Sequence, residues 1–168
     1  EPYAVARSPD GATVAFVSRR SDLGPMDVPP ATEVTLLDGE TGVVRRRVRL
    51  PSCHMAEAVA FSADGARVLV PAIEARNLVP ILQVDRGWVM AGVIASVDVV
   101  TGAVALLPLT EPMRGFADPA GLALSADGRR ALVLSGGTDE VALLDAEALR
   151  AAEGEAAPDA PRRLTLAL

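Results

Sequence analysis

The chain has 168 residues, of which 50% are hydrophobic, so it is long enough to bury a substantial core. No apolar run approaches the roughly 18 residues that a membrane-spanning helix needs. The formal net charge of −6 and the pI near 4.8 argue against nucleic acid as a partner, because phosphate binding requires a basic face. We therefore expect a core-rich protein with neither a membrane span nor a nucleic-acid ligand.

The residue types exclude further chemistry. All sixteen basic residues are Arg, so catalysis through a Lys Schiff base is excluded. Their only cluster, Arg45-Arg46-Arg47 with Arg49, is interpreted as a solvated outer strand rather than a phosphate site. The single Cys53 cannot form an internal disulfide, so cysteine does not reveal the compartment. The chain lacks an initiator Met and begins inside its first repeat, as expected of a piece of a longer protein.

One sequence motif occurs three times along the chain, and each copy consists of an apolar run, a Ser-x-Asp-Gly turn and a second apolar run. The copies are residues 6–17, 60–70 and 123–134. This pattern predicts a β-hairpin, because Asp-Gly tolerates the backbone angles of a tight reversal. The turn aspartates are interpreted as acceptors of nearby backbone amides rather than as metal ligands; they are Asp10, Asp64 and Asp127.

Each hairpin is followed by two more apolar runs, and in the first two copies the joint between them ends in Asp-x-x-Thr-Gly. The predicted third and fourth strands are residues 33–38 and 43–50, 93–98 and 103–109, and 140–145 and 162–168. The copies are spaced more widely than the ~40–50 residues of common propeller repeats, so each unit must hold an insertion. The predicted units are 1–52, 53–112 with an insertion at 75–92, and 113–168 with an insertion at 146–161.

Four short antiparallel strands per unit, apolar on both faces, predict an all-β fold of three β-propeller blades. Periodicity alone also permits a β-sandwich, but a sandwich has no reason to repeat its turn sequence. Because closed propellers have about four to eight blades, three blades make an incomplete ring. We expect the outer faces of the end sheets to be covered by remaining blades or by other copies of the chain.

The Ser-Pro-Asp-Gly hairpin and the Val-Asp strand leading to a Thr-Gly turn resemble the YVTN-type β-propeller repeats of bacterial cell-surface and periplasmic proteins. All three units carry the pattern, which covers nearly the whole chain. The resemblance implies a periplasmic or extracellular location. It says little about activity, since such propellers serve many roles.

A second resemblance lies in residues 76–90, where Arg86-Gly87-Trp88 follows a Leu-Val-Pro segment. It is similar to an insertion in propellers fused to c-type cytochrome domains related to dihaem peroxidases, although Ala91-Gly92 replaces the Thr-Asn usual there. It implies haem c in a domain outside this segment, none in the segment itself, and a redox partner protein. Arg86 and Trp88 form either a partner interface or a plug between blades with Arg86 stacked on Trp88.

The link from one blade to the next lines the mouth of the central channel of a propeller, so polar residues in the two links are candidate binding residues. They are His54, Glu57, Arg114 and Asp118. Cys53-His54 lacks the first Cys of a haem-attachment motif, since Leu50 stands in its place. His54 is either a metal or haem ligand or a plain loop residue, and the four residues are either one site or separate solvated side chains.

Two functions follow from these observations. The first is a non-catalytic scaffold or binding segment of a larger extracytoplasmic protein associated with c-type haem electron transfer. The second is an enzyme with a channel-mouth site, of the lactonase-like or quinoprotein-dehydrogenase-like kind. No catalytic residue is assigned, because no nucleophile with its base is evident.

Overall fold

The structure, a computed structural model, describes residues 1–20, 28, 30–75, 89–111, 114–145 and the backbone of 162–165. Three antiparallel sheets follow one another along the chain, and we call them blades 1 to 3. Blade 1 contains β1 (Pro2–Arg7), β2 (Thr13–Ser18), β3 (Ala31–Asp38) and β4 (Val44–Pro51). Blade 2 contains β5 (Cys53–His54), β6 (Ala60–Phe61), β7 (Arg67–Ala75), β8 (Met90–Asp98) and β9 (Val104–Pro108). Blade 3 contains β10 (Pro119–Leu124), β11 (Arg130–Ser135), β12 (Glu140–Asp145) and β13 (Arg162–Thr165).

Strand order matches chain order in blades 1 and 3, so each of them is the four-stranded meander that the repeat predicts, and blade 2 is a five-stranded version of it. Blade 2 differs at its innermost position, where β5 and β6 pair with opposite ends of β7 and are separated by residues 55–59. Its excursion between β7 and β8 is shorter than predicted, because Ala75 still pairs with Met90. Most of the insertion predicted at 75–92, including Arg86 and Trp88, lies outside the described residues, and so does the whole insertion predicted at 146–161.

The three hairpin turns share one set of hydrogen bonds. In the first, the Asp10 carboxylate accepts from the Ala12 amide at 2.9 Å and from the Ser8 hydroxyl at 2.6 Å. The Ser8 hydroxyl oxygen also accepts from the Thr13 amide at 2.9 Å, and Gly11 has a φ of 73°. The same contacts recur around Asp64 and Asp127, which confirms their assignment as turn residues.

Successive hairpin turns also pack against each other. A Cβ added to Gly65 would lie 3.5 Å from Pro9, and one added to Gly128 would lie 2.3 Å from the Ala63 side chain. In both cases the turn glycine of one blade faces the residue that follows the turn Ser of the preceding blade. The glycine therefore permits the reversal and also the close approach of neighbouring blades.

The core consists of two layers between blades. On β7, Val68, Val70 and Ala72 belong to the layer shared with blade 1, whereas Leu69 belongs to the layer shared with blade 3. On β8, Val93 and Ile94 divide in the same way and are 1% and 0% exposed. Blade 2 is thus buried on both faces, which is why its two middle strands read as continuous apolar runs.

In the part of the chain that the structure describes, the end blades each leave one apolar face without a covering sheet. On blade 1, Tyr3 and Val5 of β1 are 53% and 70% exposed. On blade 3, Leu132 and Leu134 of β11 are 41% and 48% exposed. We call these two surfaces the end faces.

The arginine cluster lies on β4, the outer edge strand of blade 1, and its four arginines are exposed. Arg46 donates to the Val100 carbonyl of blade 2 at 3.1 Å, whereas Arg45 pairs with Asp38 of its own blade at 2.5 Å. Charged side chains on an edge strand oppose pairing with another chain. The cluster is therefore the solvated outer strand that the sequence predicts.

Candidate functional site

The antiparallel order of the strands places the two hairpin turns of each blade at one end and the links between blades at the other. We call the second end the link end. It holds residues 52–59, between blades 1 and 2, and residues 109–118, between blades 2 and 3. All four candidate binding residues of the described links therefore lie at the same end of the protein.

Glu57 is held at the junction of blades 1 and 2. Its carboxylate accepts from Arg19 Nε at 2.6 Å, and the Arg19 guanidinium lies 5.2 Å from the centre of the Tyr3 ring. The Met55 amide also donates to the Arg19 carbonyl at 3.0 Å. Arg19 thus joins the end of β2 to the first link, and the charge of Glu57 is compensated inside the protein.

Arg114 is held at the other junction. Its guanidinium donates through Nη2 and Nε to Oε1 of Glu140, the first residue of β12, the second bond at 3.1 Å. Glu140 is only 7% exposed and also accepts from the Thr138 hydroxyl at 3.3 Å. A nearly buried carboxylate requires such a partner, so Arg114 has a structural task in attaching the second link to blade 3.

His54 lies on a strand rather than in a loop. It pairs with Ile73 of β7, so both side chains are on the face of blade 2 that is turned towards blade 3. Its Nε2 atom is buried and has no hydrogen-bond partner. Desolvation lowers the pKa of His54 below its ordinary value, which keeps the imidazole neutral at pH 7.

Cys53 points the opposite way and is fully buried against blade 1. Burial, and secondarily the nearby Glu74 carboxylate, raises the pKa of its thiol to about 12. Adjacent strand residues face opposite sides of a sheet, so Cys53 and His54 do not act on one ligand.

Asp118 has an unusual backbone conformation and an unused carboxylate. Its φ is 49°, in the left-handed region that Asp tolerates better than most residues, and its carbonyl accepts from the Gly136 amide at 2.9 Å. Met55, at the equivalent position of the first link, has a φ of 54°. Among the described residues the Asp118 side chain has no hydrogen bond or ion pair, unlike Glu57 and Arg114.

A cavity of about 200 Å³ lies at the link end between blades 2 and 3. The second link closes it on one side, because Phe116 rests directly on Gly92, where a Cβ would lie 2.4 Å from the Phe116 carbonyl oxygen. Its described lining is mostly apolar, with one hydroxyl and one carboxylate among these residues: Ile73, Met90, Ala91, Gly92, Thr110, Gly115, Phe116, Ala117 and Asp118. His54 is the cross-strand neighbour of Ile73 but is not among the described lining residues, and its Nε2 atom is buried.

Within the described part of the chain no three His, Cys, Asp or Glu side chains are grouped as a metal site would need. No helix there is long and apolar enough to cross a membrane. Among the described residues, the candidate site is thus a small cavity lined by the Asp118 carboxylate, whereas Glu57 and Arg114 are engaged in ion pairs elsewhere and His54 does not line it.

No family model matches the sequence, and no curated protein matches it. Among solved structures, hydrazine synthase of Kuenenia stuttgartiensis is similar with a TM-score of 0.76 and 22% identity over 87% of this chain and 40% of that chain. The β-propeller domain of Cps50 (Swd1) from Myceliophteria thermophila has a TM-score of 0.58 and 12% identity over 98% and 43% of the two chains. The chain is a partial β-propeller.

A eukaryotic initiation factor gives a TM-score of 0.54 with 14% identity, over 96% of this chain and 31% of that one. The chain therefore spans between 31% and 43% of the length of these three proteins. At such low identities the likeness shows the fold alone. The assignment to YVTN-type repeats stays a prediction.

Proposed function

We propose that this chain is a non-catalytic scaffold and binding segment of a larger extracytoplasmic protein associated with c-type haem electron transfer. The observation that carries the proposal is the contrast between blade 2, buried on both faces, and the end faces of blades 1 and 3. A sheet built to be covered on both sides needs neighbours, and the partial coverage of the similar propellers supports further blades or subunits as those neighbours.

The extracytoplasmic location and the haem association rest on sequence resemblance. The repeats resemble those of periplasmic and cell-surface propellers, and residues 76–90 resemble an insertion in propellers fused to cytochrome domains. The structural similarity to hydrazine synthase supports the propeller on which this resemblance is built. The haem would belong to another domain, and the propeller would position that domain or its redox partner.

The scaffold role is tested on the end faces. The chain alone is expected to bind a hydrophobic dye and to associate as its concentration rises, as measured by light scattering after gel filtration. Val5→Arg and Leu134→Arg, one on each end face, should reduce both signals. Val100→Arg is the matched control, because Val100 is 80% exposed in a turn, away from both end faces. A monomer that binds no dye at any concentration would contradict the scaffold role.

The haem association is tested separately on the full-length protein that contains this segment. The purified protein should show covalently attached haem in its pyridine haemochrome spectrum. A colourless full-length protein would remove the haem association and would leave the scaffold role untouched.

One observation favours the enzyme alternative, namely the cavity at the link end that is lined by Asp118. Against it, Glu57 and Arg114 are committed to ion pairs at two different junctions. Lactone hydrolysis with added divalent cations, or dye-linked dehydrogenation with an added quinone cofactor, would favour the enzyme if the activity were lost in Asp118→Asn.

A further inference from the structure

We propose that copies of this chain pair head to tail, with the blade 3 end face of one copy seated on the blade 1 end face of another. The inference rests on the proposed scaffold function and names the partner that its end faces accept. It is carried by the repeat, because each end face presents one half of the junction that joins neighbouring blades inside the chain.

The blade 1 end face carries the half of the junction that a following blade contributes. Phe16 of β2 stands at the repeat position of Val70 in blade 2 and of Val133 in blade 3. Val70 and Val133 are both 0% exposed, because each packs against the preceding blade. Val5 is the cross-strand neighbour of Phe16 and is 70% exposed. The blade 1 end face is therefore built like a buried junction surface, but the described residues hold no blade that precedes it.

The blade 3 end face carries the complementary half. Leu132 of β11 stands at the repeat position of Ala15 in blade 1 and of Leu69 in blade 2. Ala15 and Leu69 are 0% and 2% exposed, because each packs against the blade that follows. Leu132 and Leu134, which lie on the same face, are 41% and 48% exposed. They form the surface on which a following blade would rest.

The hairpin turns supply the same two halves. Inside the chain, a turn glycine faces the short residue after the turn Ser of the preceding blade, as Gly128 faces Ala63. Ala126 is the equivalent of Ala63 in the last blade, and Gly11 is the equivalent of Gly128 in the first. Head-to-tail pairing brings Gly11 of one copy onto Ala126 of the other. The Arg7 side chain now lies over Gly11, with Nη2 2.7 Å from the position of an added Cβ, but it is exposed and its flexible end can turn away.

A second copy fits as the occupant because the two halves of the junction lie on opposite ends of the same chain. Pairing of two identical end faces would bring like turn residues together, glycine onto glycine, instead of glycine onto the residue after Ser. Unlike surfaces pair head to tail, which forms a ring where the rotation closes. Two copies hold six blades, a number within the range of about four to eight in closed propellers.

Variants with one blocked face test the pairing without further growth. Val5→Arg blocks the blade 1 end face and Leu134→Arg blocks the blade 3 end face, because an unpaired charge opposes burial. Each variant alone should stay monomeric in analytical ultracentrifugation, at concentrations where the parent associates. An equimolar mixture should form a dimer of twice the 17.4 kDa of the single chain, since the two unblocked faces are complementary. Labelling one variant with heavy nitrogen lets native mass spectrometry distinguish the mixed dimer from either homodimer.

The register of the turns is tested at Ala126. Ala126→Leu is added to the Val5→Arg copy, where it would meet the backbone of Gly11 of the partner copy. It should weaken pairing with the Leu134→Arg copy at least about tenfold. Val100→Leu in the same copy is the control, because Val100 is also exposed in a turn and lies away from both end faces. Far-ultraviolet circular dichroism shows that each variant retains its fold.

Three results would overturn the proposal. A dimer of either single-face variant alone would show that like faces pair, and a mixture that stays monomeric would show that the two faces do not fit each other. Equal pairing by the Ala126→Leu and Val100→Leu copies would refute the turn contact. A monomeric mixture whose parent still binds a hydrophobic dye would leave the scaffold function standing, with the end faces reserved for blades of a longer protein, so the two proposals fail separately.

Discussion

Burial of adjacent residues on one strand makes a quantitative prediction about stacking. In a sheet covered on one face, neighbouring residues of a strand alternate between buried and exposed. On β8, Val93 packs towards blade 1 and Ile94 towards blade 3, and both are almost fully buried. Truncating either residue to Ala should therefore be costly, although they point in opposite directions.

The expected decrease in the free energy of unfolding can be calculated from the number of buried carbons that each substitution removes. Ile94→Ala removes three buried carbons, worth about 2.4 kcal/mol at about 0.8 kcal/mol each, and leaves a space between two blades that closes only in part. We expect a loss of about 3 to 4 kcal/mol in the free energy of unfolding. Val93→Ala removes two carbons and should cost about 2 to 3 kcal/mol. Val5→Ala, on the blade 1 end face, should change stability by no more than about 0.5 kcal/mol.

Urea unfolding followed by far-ultraviolet circular dichroism measures these differences. The stacking argument fails if either variant on β8 costs less than about 1 kcal/mol, or if Val5→Ala is as damaging as they are. In a longer protein whose next blade covers blade 1, the cost of Val5→Ala should rise towards that of Val93→Ala.

Three further predictions concern the turns and the thiol. In urea unfolding, Gly128→Ala should destabilise the chain by at least about 1 kcal/mol more than Gly42→Ala. Both glycines have a positive φ, but of the two only Gly128 lies against another blade. Equal decreases in the free energy of unfolding would contradict this prediction. Hydrogen bonds from the Thr101 amide and hydroxyl lower the pKa of Asp98, so the stabilisation that its carboxylate contributes is complete above about pH 4 and is lost as the pH falls further. Asp98→Asn should therefore reduce the dependence of the melting temperature on pH between pH 5 and 2. An unchanged pH dependence of the melting temperature would refute this. Because burial raises its pKa, Cys53 should react with a thiol reagent only as fast as the chain unfolds, and rapid labelling of folded protein would disprove it.

The blades were predictable because their signals are local. A Ser, an Asp and a Gly within four residues define each hairpin, and every bond that closes it joins residues no more than five apart. The split inner strand of blade 2 was not predictable in this way. Residues 55–59 stand opposite only residues 70–72 of β7, and nothing in their composition marks the extra length.

For the candidate site, only the end of the fold at which its residues lie could be predicted, because that follows from the strand topology. Antiparallel order places both links at one end, so the position of all four candidate residues at that end could be predicted from the repeat. The partners that occupy two of these residues come from distant strands: Arg19 lies 38 residues before Glu57, and Glu140 lies 26 residues after Arg114. Such pairs depend on how far side chains reach across a junction, which a single sequence does not encode locally.

The repeated turn also carries information about the joint between blades, which a hairpin rule does not provide. The residue after the turn Ser, Pro9 or Ala63, lies against the turn glycine of the next blade. A larger side chain at this position would meet the backbone of the neighbouring turn and force the blades apart, as would a side chain in place of Gly128. At each junction, the short side chain after the turn Ser of one blade and the turn glycine of the next blade together allow the two turns to approach closely. This contact between blades explains why the turn motif is repeated so closely in blades whose other strands differ in sequence.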